Sequence, residues 1–194
     1  MQSATYAARR GKLEAYFDRT ASAAWQRLTS DAPVSGIRAT VRAGRDEMRA
    51  TLLSWLPEDL TGLRLLDAGC GTGALATEAA KRGGDVVAVD LSATLVACAQ
   101  ERAAELGGPQ PQFLAGDMLG EEHGAFDYIV AMDSLIHYDA PDIVASLAGA
   151  ASRCRRSMLF TVAPNSPMLA VMITVGRMFP RGDRAPFIDR KSVV

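Results

Sequence analysis

The sequence predicts an α/β fold with a doubly wound, mostly parallel sheet that follows a helical N-terminal region. Three observations predict it. Short segments rich in branched apolar residues alternate with helical segments from residue 63 onwards, as in parallel strands joined by crossover helices. A glycine-rich turn follows the first of these strands, and carboxylates follow the next two. The 194 residues are 48% apolar, which fits one domain with a real core and excludes a disordered chain.

Two helices are predicted before the sheet. Apolar residues recur at helical spacing over 5–29 and again over about 35–56, where Pro57 ends the second helix. We therefore expect residues 1–57 to form a helical cap over the functional site and residues 58–194 to form the core. One face of the second helix carries four arginines, Arg38, Arg42, Arg45 and Arg49.

Five strands and three helices are predicted in the core. We expect strands over 63–68, 86–90, 112–115, 126–132 and 158–162, and helices over 74–82, 93–106 and 141–151. Ser92 is placed to cap the helix that follows it, because a serine oxygen can accept a hydrogen bond from a backbone N–H of the first turn. After Val162 no run predicts further strands, so the C-terminal strands are expected to be incomplete.

The net charge of −1 conceals a segregation of charge along the chain. Residues 1–57 carry nine basic and five acidic side chains, residues 58–162 seven and fifteen, and residues 163–194 five and two. An acidic centre argues against non-specific nucleic-acid binding, which needs one concentrated basic surface. The two basic ends are instead expected to meet an anionic partner.

The cysteines and the apolar runs indicate a reducing compartment. Cys70, Cys98 and Cys154 lack the spacing of a zinc site, and their odd number argues against a disulfide framework. The longest apolar run, 168–175, is far shorter than the roughly 18 residues that span a bilayer. We expect a cytoplasmic protein without a bound metal and with at most a peripheral contact to a membrane.

The glycine-rich turn is the first candidate binding site. The alternating glycines of the segment Leu65–Gly73 allow the backbone to approach a ligand closely. Asp90 ends the second strand, where an acid can accept hydrogen bonds from ribose hydroxyls, and Asp117 follows the third strand, within reach of an adenine amino group. Ligands of open α/β sheets bind at such strand ends, so the pattern predicts a nucleoside site. A tight turn without a ligand is the alternative.

The spacing of these glycines argues against a dinucleotide. A pyrophosphate site uses GxGxxG, whereas this chain has GxGxG preceded by Asp67, whose charge would repel phosphate and suits a cationic group. The motif DAGCGTG resembles the first motif of the class I S-adenosylmethionine-dependent methyltransferases, which have a Rossmann-like fold. This resemblance implies S-adenosylmethionine as the cofactor, with Asp67 near its amino group. The implied cofactor-binding residues are Asp67, Gly69, Gly71, Gly73, Asp90, Leu91, Asp117, Met118 and Asp133.

Four further stretches resemble one family of these enzymes, the magnesium-protoporphyrin IX O-methyltransferases of chlorophyll and bacteriochlorophyll synthesis. They are YFDRTASAAWQRL (16–28), IRATVRAGRDEM (37–48), DSLIHYDAP (133–141) and FTVAPNSPMLAVMITVGRMFPR (160–181). The resemblance covers nearly the whole chain and implies methyl transfer to one porphyrin propionate, giving the monomethyl ester. Magnesium protoporphyrin IX is then the small-molecule partner, and a contact with magnesium chelatase is left open.

The candidate catalytic residues are His137, which lies five residues past the fourth predicted strand, and Tyr16. The candidate substrate-binding residues are Phe17, Trp25, Arg38, Arg42, Tyr138, Met168 and Met172. A carboxylic acid with a pKa of about 4 to 4.5 is already ionised at neutral pH, so a propionate needs alignment rather than a base. We therefore expect His137 to orient the acceptor carboxylate, with an axial contact to the magnesium of the substrate as the alternative.

Two other functions stay open. A phenolic or quinone acceptor must lose a proton and would make His137 a general base. A chain that binds the cofactor without transferring its methyl group would act as a scaffold in pigment assembly. The aromatic residues of the first helix and the methionines after residue 167 equally suit core packing, and the arginines of the second helix equally suit a solvated face.

Overall fold

The structure, a computed structural model, describes residues 4–18, 22–29 and 36–162. Its α-helices are α1 (Ala4–Tyr16), α2 (Ser22–Leu28), α3 (Gly36–Ser54), α4 (Ala74–Lys81), α5 (Ala93–Leu106) and α6 (Ala140–Ala151). Its strands are β1 (Arg64–Ala68), β2 (Asp85–Asp90), β3 (Gln112–Ala115), β4 (Phe126–Ala131) and β5 (Cys154–Phe160). Within the three described ranges, no helix is long and apolar enough to cross a membrane. The expected incompleteness of the C-terminal strands, and the contacts expected of Met168 and Met172, lie outside the described residues.

The five described strands form one parallel sheet in the order β3-β2-β1-β4-β5. On β1, Leu65 pairs with Val86 of β2 on one side and with Tyr128 of β4 on the other. The chain order therefore reverses between β1 and β4, which is the position where open α/β sheets bind their ligands. This arrangement confirms the predicted doubly wound sheet.

Both faces of the sheet are buried along its central strands, and successive side chains alternate between them. On β2, Val86 and Ala88 pack with α3, α4 and α5, whereas Val87 and Val89 pack with α1 and α6. None of these four side chains is more than 3% exposed. Burial of one such valine contributes about 1.5–3 kcal/mol. A continuous apolar strand of this kind is typical of parallel sheets that helices cover on both faces.

The single helix predicted over 5–29 is wrong, because the chain forms two helices there. Residues 17 and 18 continue α1 as a wider π-turn, and α2 begins at Ser22. The Asp18 carboxylate accepts hydrogen bonds from the Ser92 hydroxyl (2.5 Å) and the Thr94 N–H (3.3 Å) at the start of α5. Asp18 and Ser92 are 74 positions apart, so the local apolar periodicity could not predict this contact.

The other predicted elements lie within two residues of the observed ones, with β5 as the exception. α5 and β3 have the predicted bounds, and the Ser92 hydroxyl accepts from the Leu95 N–H (3.2 Å), as expected of a cap. β5 begins at Cys154 instead of residue 158. Arg155 and Arg156 are exposed at this edge of the described sheet, and their charges interrupt the apolar pattern that predicted the strand.

Candidate active site

The glycine-rich turn lies at the carboxyl end of β1 and leads into α4. Gly69 has a φ of +87°, and a Cβ at this position would lie 2.3 Å from the Cβ of Ser134. The left-handed backbone and this close approach both require glycine. Because Ser134 follows β4, the turn packs directly against the loop at the neighbouring strand end. The two loops that flank the topological switch point are therefore in contact.

Gly73 has a packing role, and its contact with a cofactor stays a prediction. Its φ is +78°, and a Cβ there would lie 2.8 Å from the Phe113 ring and 2.9 Å from the Ala99 Cβ. Gly73 is not among the described residues that line the cavity at this strand end. Glycine is required here because β3 and α5 pack against the turn from behind.

A cavity of about 270 Å³ opens where β1 and β4 end. Seven of the nine predicted cofactor residues line it: Asp67, Gly69, Gly71, Asp90, Leu91, Met118 and Asp133. Five of the residues predicted to act on or bind the acceptor also line it: Phe17, Trp25, Arg42, His137 and Tyr138. The N-terminal helices and the sheet therefore share one site. In the part of the chain that the structure describes, no group of three His, Cys, Asp or Glu side chains could hold a metal ion.

Asp67 is the most deeply buried carboxylate of this cavity. It is 2% exposed, and its Oδ2 atom has no hydrogen-bond partner among the described residues. Burial and, to a lesser extent, the charge of Asp90 raise the pKa of Asp67 to about 7. A buried carboxylate with an unpaired oxygen fits a cationic amino group, which would satisfy Oδ2 and favour the ionised form. Asp67 is thus suited to the predicted contact with the amino group of S-adenosylmethionine.

Asp90 both fixes the turn and faces the cavity. Its Oδ2 accepts from the Gly71 N–H and its Oδ1 from the Ser92 N–H, both at 2.9 Å. Burial raises the pKa of Asp90, while these two N–H donors act to lower it. Each carboxylate oxygen can accept a second hydrogen bond, so Asp90 retains the capacity to bind ribose hydroxyls.

Asp117, which is predicted to lie beside an adenine, is not among the described residues that line the cavity. Its carboxylate accepts from the Tyr6 hydroxyl and from Arg10, each at 2.9 Å, so α1 covers this strand end. The neighbouring Met118 lines the cavity instead. The loop after β3 therefore offers a cofactor an apolar contact through Met118, and the contact of Asp117 with an adenine stays a prediction.

His137 lies in the single-turn 3₁₀ helix that follows β4, and it lines the cavity. Its Nδ1 is buried with no partner among the described residues, and its ring contacts Phe17 edge-on, with the ring centroids 5.7 Å apart. Arg9 of α1 donates to the His137 carbonyl (3.2 Å). Burial lowers the pKa of His137 below its usual value, and the negative charge of nearby Asp133 raises it by less. The imidazole is therefore neutral at neutral pH.

The predicted aromatic residues reach the cavity only in part. Phe17 and Trp25 line it together, with ring centroids 6.0 Å apart. Tyr138 lines it from the loop after β4, where it stacks on Tyr6 of α1 at 4.8 Å. Tyr16 is not among the described residues that line the cavity; it packs edge-on against Phe17 at 5.2 Å, and its catalytic role stays a prediction.

The two arginines predicted to bind substrate lie in different environments, although both are on α3. Arg38 is exposed and does not line the cavity, contrary to the prediction. Arg42 lines the cavity, and its guanidinium donates to the carbonyls of Leu28 (2.8 Å) and Arg27 (2.9 Å). Arg42 therefore holds the C-terminal end of α2 against α3.

Sequence reasoning missed three hydroxyl residues that shape the site. Ser134 donates to the Ala68 carbonyl (2.7 Å) and packs against Gly69. The Thr72 and Thr29 hydroxyls are hydrogen-bonded to each other (3.0 Å) and join the glycine turn to the end of α2. Ser134 lies in the loop that follows β4, so its position near the site could have been predicted from the sequence. The two threonines are 43 positions apart, and no local pattern connects them.

The parallel sheet, the glycine turn after β1 and the carboxylates Asp67 of β1 and Asp90 of β2 define a class I S-adenosylmethionine-dependent methyltransferase. A general methyltransferase-domain profile matches residues 65–157. The profile described as the magnesium-protoporphyrin IX methyltransferase C-terminus matches residues 131–192.

Individual relatives place the chain within this class. The magnesium-protoporphyrin O-methyltransferase of Rhodobacter capsulatus is 52% identical over 183 residues, which cover 93% of this chain and 81% of that protein. A crystal structure of magnesium protoporphyrin IX methyltransferase from Synechocystis PCC 6803 with bound SAH is 32% identical, with a TM-score of 0.80 and coverage of 92% and 83%. A ubiquinone biosynthesis O-methyltransferase of Methylococcus capsulatus is 31% identical over 138 residues, 66% of this chain and 58% of that protein. The chain belongs to the magnesium-protoporphyrin O-methyltransferase family.

The affinity for cofactor is expected to depend on pH through Asp67. Its carboxylate must be ionised to pair with an ammonium group, and in the protein without ligand its pKa is raised to about 7. We therefore expect the Kd of S-adenosylhomocysteine to rise about tenfold for each pH unit below about 7 and to level off above it. Isothermal titration calorimetry across this range measures the dependence, and a constant Kd would contradict it.

Proposed function

We propose that this protein transfers the methyl group of S-adenosylmethionine to a propionate carboxylate of magnesium protoporphyrin IX and forms the monomethyl ester. One observation carries the proposal. A single cavity joins the buried Asp67 to His137 and to arginines of α3, in a chain that belongs to this family of methyltransferases. The arginines suit an acceptor with two carboxylates, because guanidinium groups pair with carboxylates through charge-assisted hydrogen bonds.

The proposed acceptor needs alignment more than deprotonation. A propionate has a pKa of about 4 to 4.5 and is ionised at neutral pH. S-Adenosylmethionine, when bound, supplies an electrophilic methyl group on a positively charged sulfur. Holding the carboxylate in line with this methyl group can lower the barrier by about 7–11 kcal/mol. The residues of the cavity are therefore expected to act mainly as positioning groups.

The loops after β1 and β2 are suited to hold the cofactor. Asp67 is expected to bind its amino group and Asp90 its ribose hydroxyls, with Leu91 and Met118 in apolar contact. The two carboxylates also favour the positive charge of the sulfonium group, since opposite charges attract strongly in a partly desolvated site.

His137 is suited to orient the acceptor. Because burial lowers the pKa of His137, its imidazole is neutral near pH 7 and carries one N–H donor. We expect this donor to bind the acceptor carboxylate. Phe17 contacts the edge of the imidazole and Arg9 holds the backbone carbonyl, so α1 helps to fix the ring.

Replacement of His137 tests this role. We expect His137→Phe to lower kcat about tenfold, because one orienting hydrogen bond is lost, and His137→Asn to recover part of the rate through its amide donor. Measured kcat with saturating cofactor gives the comparison. Loss of a general base would cost about 10²–10⁴-fold and would leave His137→Asn no better than His137→Phe. That outcome would contradict the orienting role.

A phenolic acceptor is the second candidate function. The similarity to a ubiquinone biosynthesis O-methyltransferase supports it, as does the position of His137 on the cavity wall, where it could accept a phenol proton. The cavity arginines favour the carboxylate acceptor, because guanidinium N–H groups form charge-assisted hydrogen bonds with a carboxylate that a neutral phenol cannot match.

An acceptor comparison separates the two functions. The protein is incubated with S-adenosylmethionine and either magnesium protoporphyrin IX or a prenylated catechol, and methylated products are resolved by chromatography. We expect turnover with the porphyrin and none with the catechol. Methylation of the catechol alone would overturn the proposal. Binding of S-adenosylhomocysteine without turnover of either acceptor would identify the scaffold function.

Further partners follow from the proposed acceptor. A contact with the magnesium chelatase that supplies the substrate remains a prediction, as do a cytoplasmic location and a peripheral position at the photosynthetic membrane. Co-purification with the chelatase subunits tests the first, and co-sedimentation with anionic vesicles tests the last.

A further inference from the structure

Arg45 of α3 is a partly buried cation that lines the cavity. Its side chain is 20% exposed, and it forms an ion pair with Asp133, which is 19% exposed. Its guanidinium carbon also lies 4.5 Å from the centre of the Trp25 ring. Only Nη1 contacts Asp133, and the Nε and Nη2 atoms have no hydrogen-bond partner among the described residues. Arg45 therefore has N–H donors to offer in a position that two neighbours fix.

The backbone of Asp133 is held as firmly as its side chain. Asp133 has a φ of +56°, the left-handed conformation that aspartate tolerates better than most residues. Its N–H donates to the Thr161 hydroxyl (2.7 Å), just beyond β5. Asp133 lies at the end of β4, four positions before His137. The ion pair thus ties α3 to the loop that carries the candidate catalytic histidine.

The other cavity arginines of α3 are less suited to bind an acceptor at the reacting position. The Nε and Nη2 groups of Arg42 already donate hydrogen bonds to the carbonyls at the end of α2. Arg49 pairs with Asp46 one turn away on the same helix, and the Asp46 side chain is half exposed. Such surface pairs hold a side chain only weakly. Arg45 is the arginine that combines burial, a fixed position and unused donors.

An anionic acceptor needs a cation at this position. The cavity also carries Asp67 and Asp90, which repel a carboxylate. Arg45, His137 and Ser134 line the same cavity on the side of the β4 loop. Because Asp133 already balances the charge of Arg45, the remaining N–H groups can orient a carboxylate without presenting a full uncompensated positive charge that would weaken it as a nucleophile.

We propose that Arg45 binds the reacting carboxylate of the acceptor through the guanidinium N–H groups that Asp133 does not use. This inference rests on the proposed function, because it assumes a carboxylate acceptor. In this role Arg45 contacts the carboxylate that is methylated, and not the second propionate, which does not react. It also makes Asp133 a positioning residue, which acts through Arg45.

The test compares three ligands that differ only in their carboxylates: magnesium protoporphyrin IX, its monomethyl ester and its dimethyl ester. Binding is measured by fluorescence titration in saturating S-adenosylhomocysteine, for the wild-type protein and for Arg45→Gln. We expect Arg45→Gln to weaken binding of the diacid about 10–100-fold and to change the affinity for the two esters by no more than about twofold. Arg155→Gln, which removes an arginine that is 64% exposed at the far end of β5, should change none of the three affinities.

Each other pattern overturns the inference. An equal loss for the diacid and the monoester would assign Arg45 to the unreacted propionate. An equal loss of affinity for all three ligands would mean that Arg45 only supports the fold. No loss of affinity for any of them would mean that Arg45 does not contact the acceptor. If Arg45→Gln does not bind S-adenosylhomocysteine, Arg45→Lys replaces it, since lysine keeps the charge beside Asp133 but lacks the fork of donors. A diacid-selective loss is expected there too, and its absence overturns the inference.

The proposed function and this inference fail in distinguishable ways. If the wild-type protein does not methylate magnesium protoporphyrin IX, the proposed function fails whatever the variants do. If the wild-type protein forms the ester but Arg45→Gln shows no selectivity for the diacid, only the role of Arg45 fails.

Discussion

Replacing Asp67 with asparagine is expected to weaken the binding of S-adenosylhomocysteine about 100-fold at pH 8, because a buried ammonium group would lose its countercharge. The carboxylate is 2% exposed, and its Oδ2 has no other partner among the described residues, so this oxygen is available to the ammonium group. Calorimetric titration measures the change. The pH dependence expected for the wild-type protein should also disappear in this variant, and an unchanged affinity would contradict the assigned contact.

The same substitution is expected to stabilise the protein without ligand at pH 8. The pKa of Asp67 is raised to about 7 in the folded chain, above its usual value, so the folded state binds more protons than the unfolded state between about pH 4 and pH 7. The stability present below that range is therefore lost as the pH rises through it. The ionised, unpaired carboxylate then costs up to about 4 kcal/mol, which asparagine avoids.

Thermal unfolding at about pH 5 and about pH 8 tests this expectation. Asp67→Asn should unfold at a higher temperature than the wild-type protein at the higher pH, with little difference at the lower pH. Asp85→Asn is the matched control, since Asp85 is exposed at the opposite end of the neighbouring strand β2 and should change neither value by much. If Asp67→Asn were less stable than the wild-type protein at both pH values, the ionised carboxylate of Asp67 would not destabilise the folded protein as we expect.

Gly69→Ala is expected to lower the free energy of unfolding by about 3 kcal/mol. A Cβ would lie 2.3 Å from the Cβ of Ser134, where neither backbone can yield easily, and the φ of +87° adds the cost of a left-handed alanine. For a chain of this size the loss corresponds to a fall in Tm of about 6–12 °C. Differential scanning calorimetry measures it.

Gly62→Ala separates the two costs. Gly62 has a similar φ of +74°, but a Cβ there would meet nothing within 4 Å. The control variant should therefore lose only about 1–2 kcal/mol, the backbone cost alone. Equal losses for the two variants would show that the contact between the glycine turn and Ser134 does not constrain the site.

The sheet and its helices could be predicted because their determinants are local. The apolar run of β2 and the cap at Ser92 are both properties of neighbouring residues, and α5 and β3 have the predicted bounds. β5 was placed too late because an edge strand tolerates charged residues such as Arg155 and Arg156, which break the apolar pattern. Asp18 follows α1 and accepts hydrogen bonds from residues at the start of α5, a contact that no local pattern could predict.

The site could be predicted where a strand end alone places a residue. Asp67 and Asp90 lie at the cavity because β1 and β2 end there. Asp117 also follows its strand as expected, but Tyr6 and Arg10, more than 100 positions away, cover its carboxylate. A strand end fixes the position of a side chain, whereas the packing of α1 decides whether it faces the ligand.

The arginines of α3 show the same limit. Their spacing predicted one charged face, yet the contacts that distinguish them come from α2 and from the loop after β4. Arg38 is exposed, Arg42 holds α2, and Arg45 pairs with Asp133. Helical periodicity predicts which side chains share a face, and the tertiary partners determine which of them can bind a substrate.

We expect this chain to form a carboxylate ester on magnesium protoporphyrin IX. The most direct measurement follows a labelled methyl group from S-adenosylmethionine into the porphyrin product and then exposes the product to mild base. We expect one labelled methyl group per macrocycle, and we expect base to release it because esters are hydrolysed by base. A label that survives base, or a protein that binds S-adenosylhomocysteine but transfers no label, would contradict it.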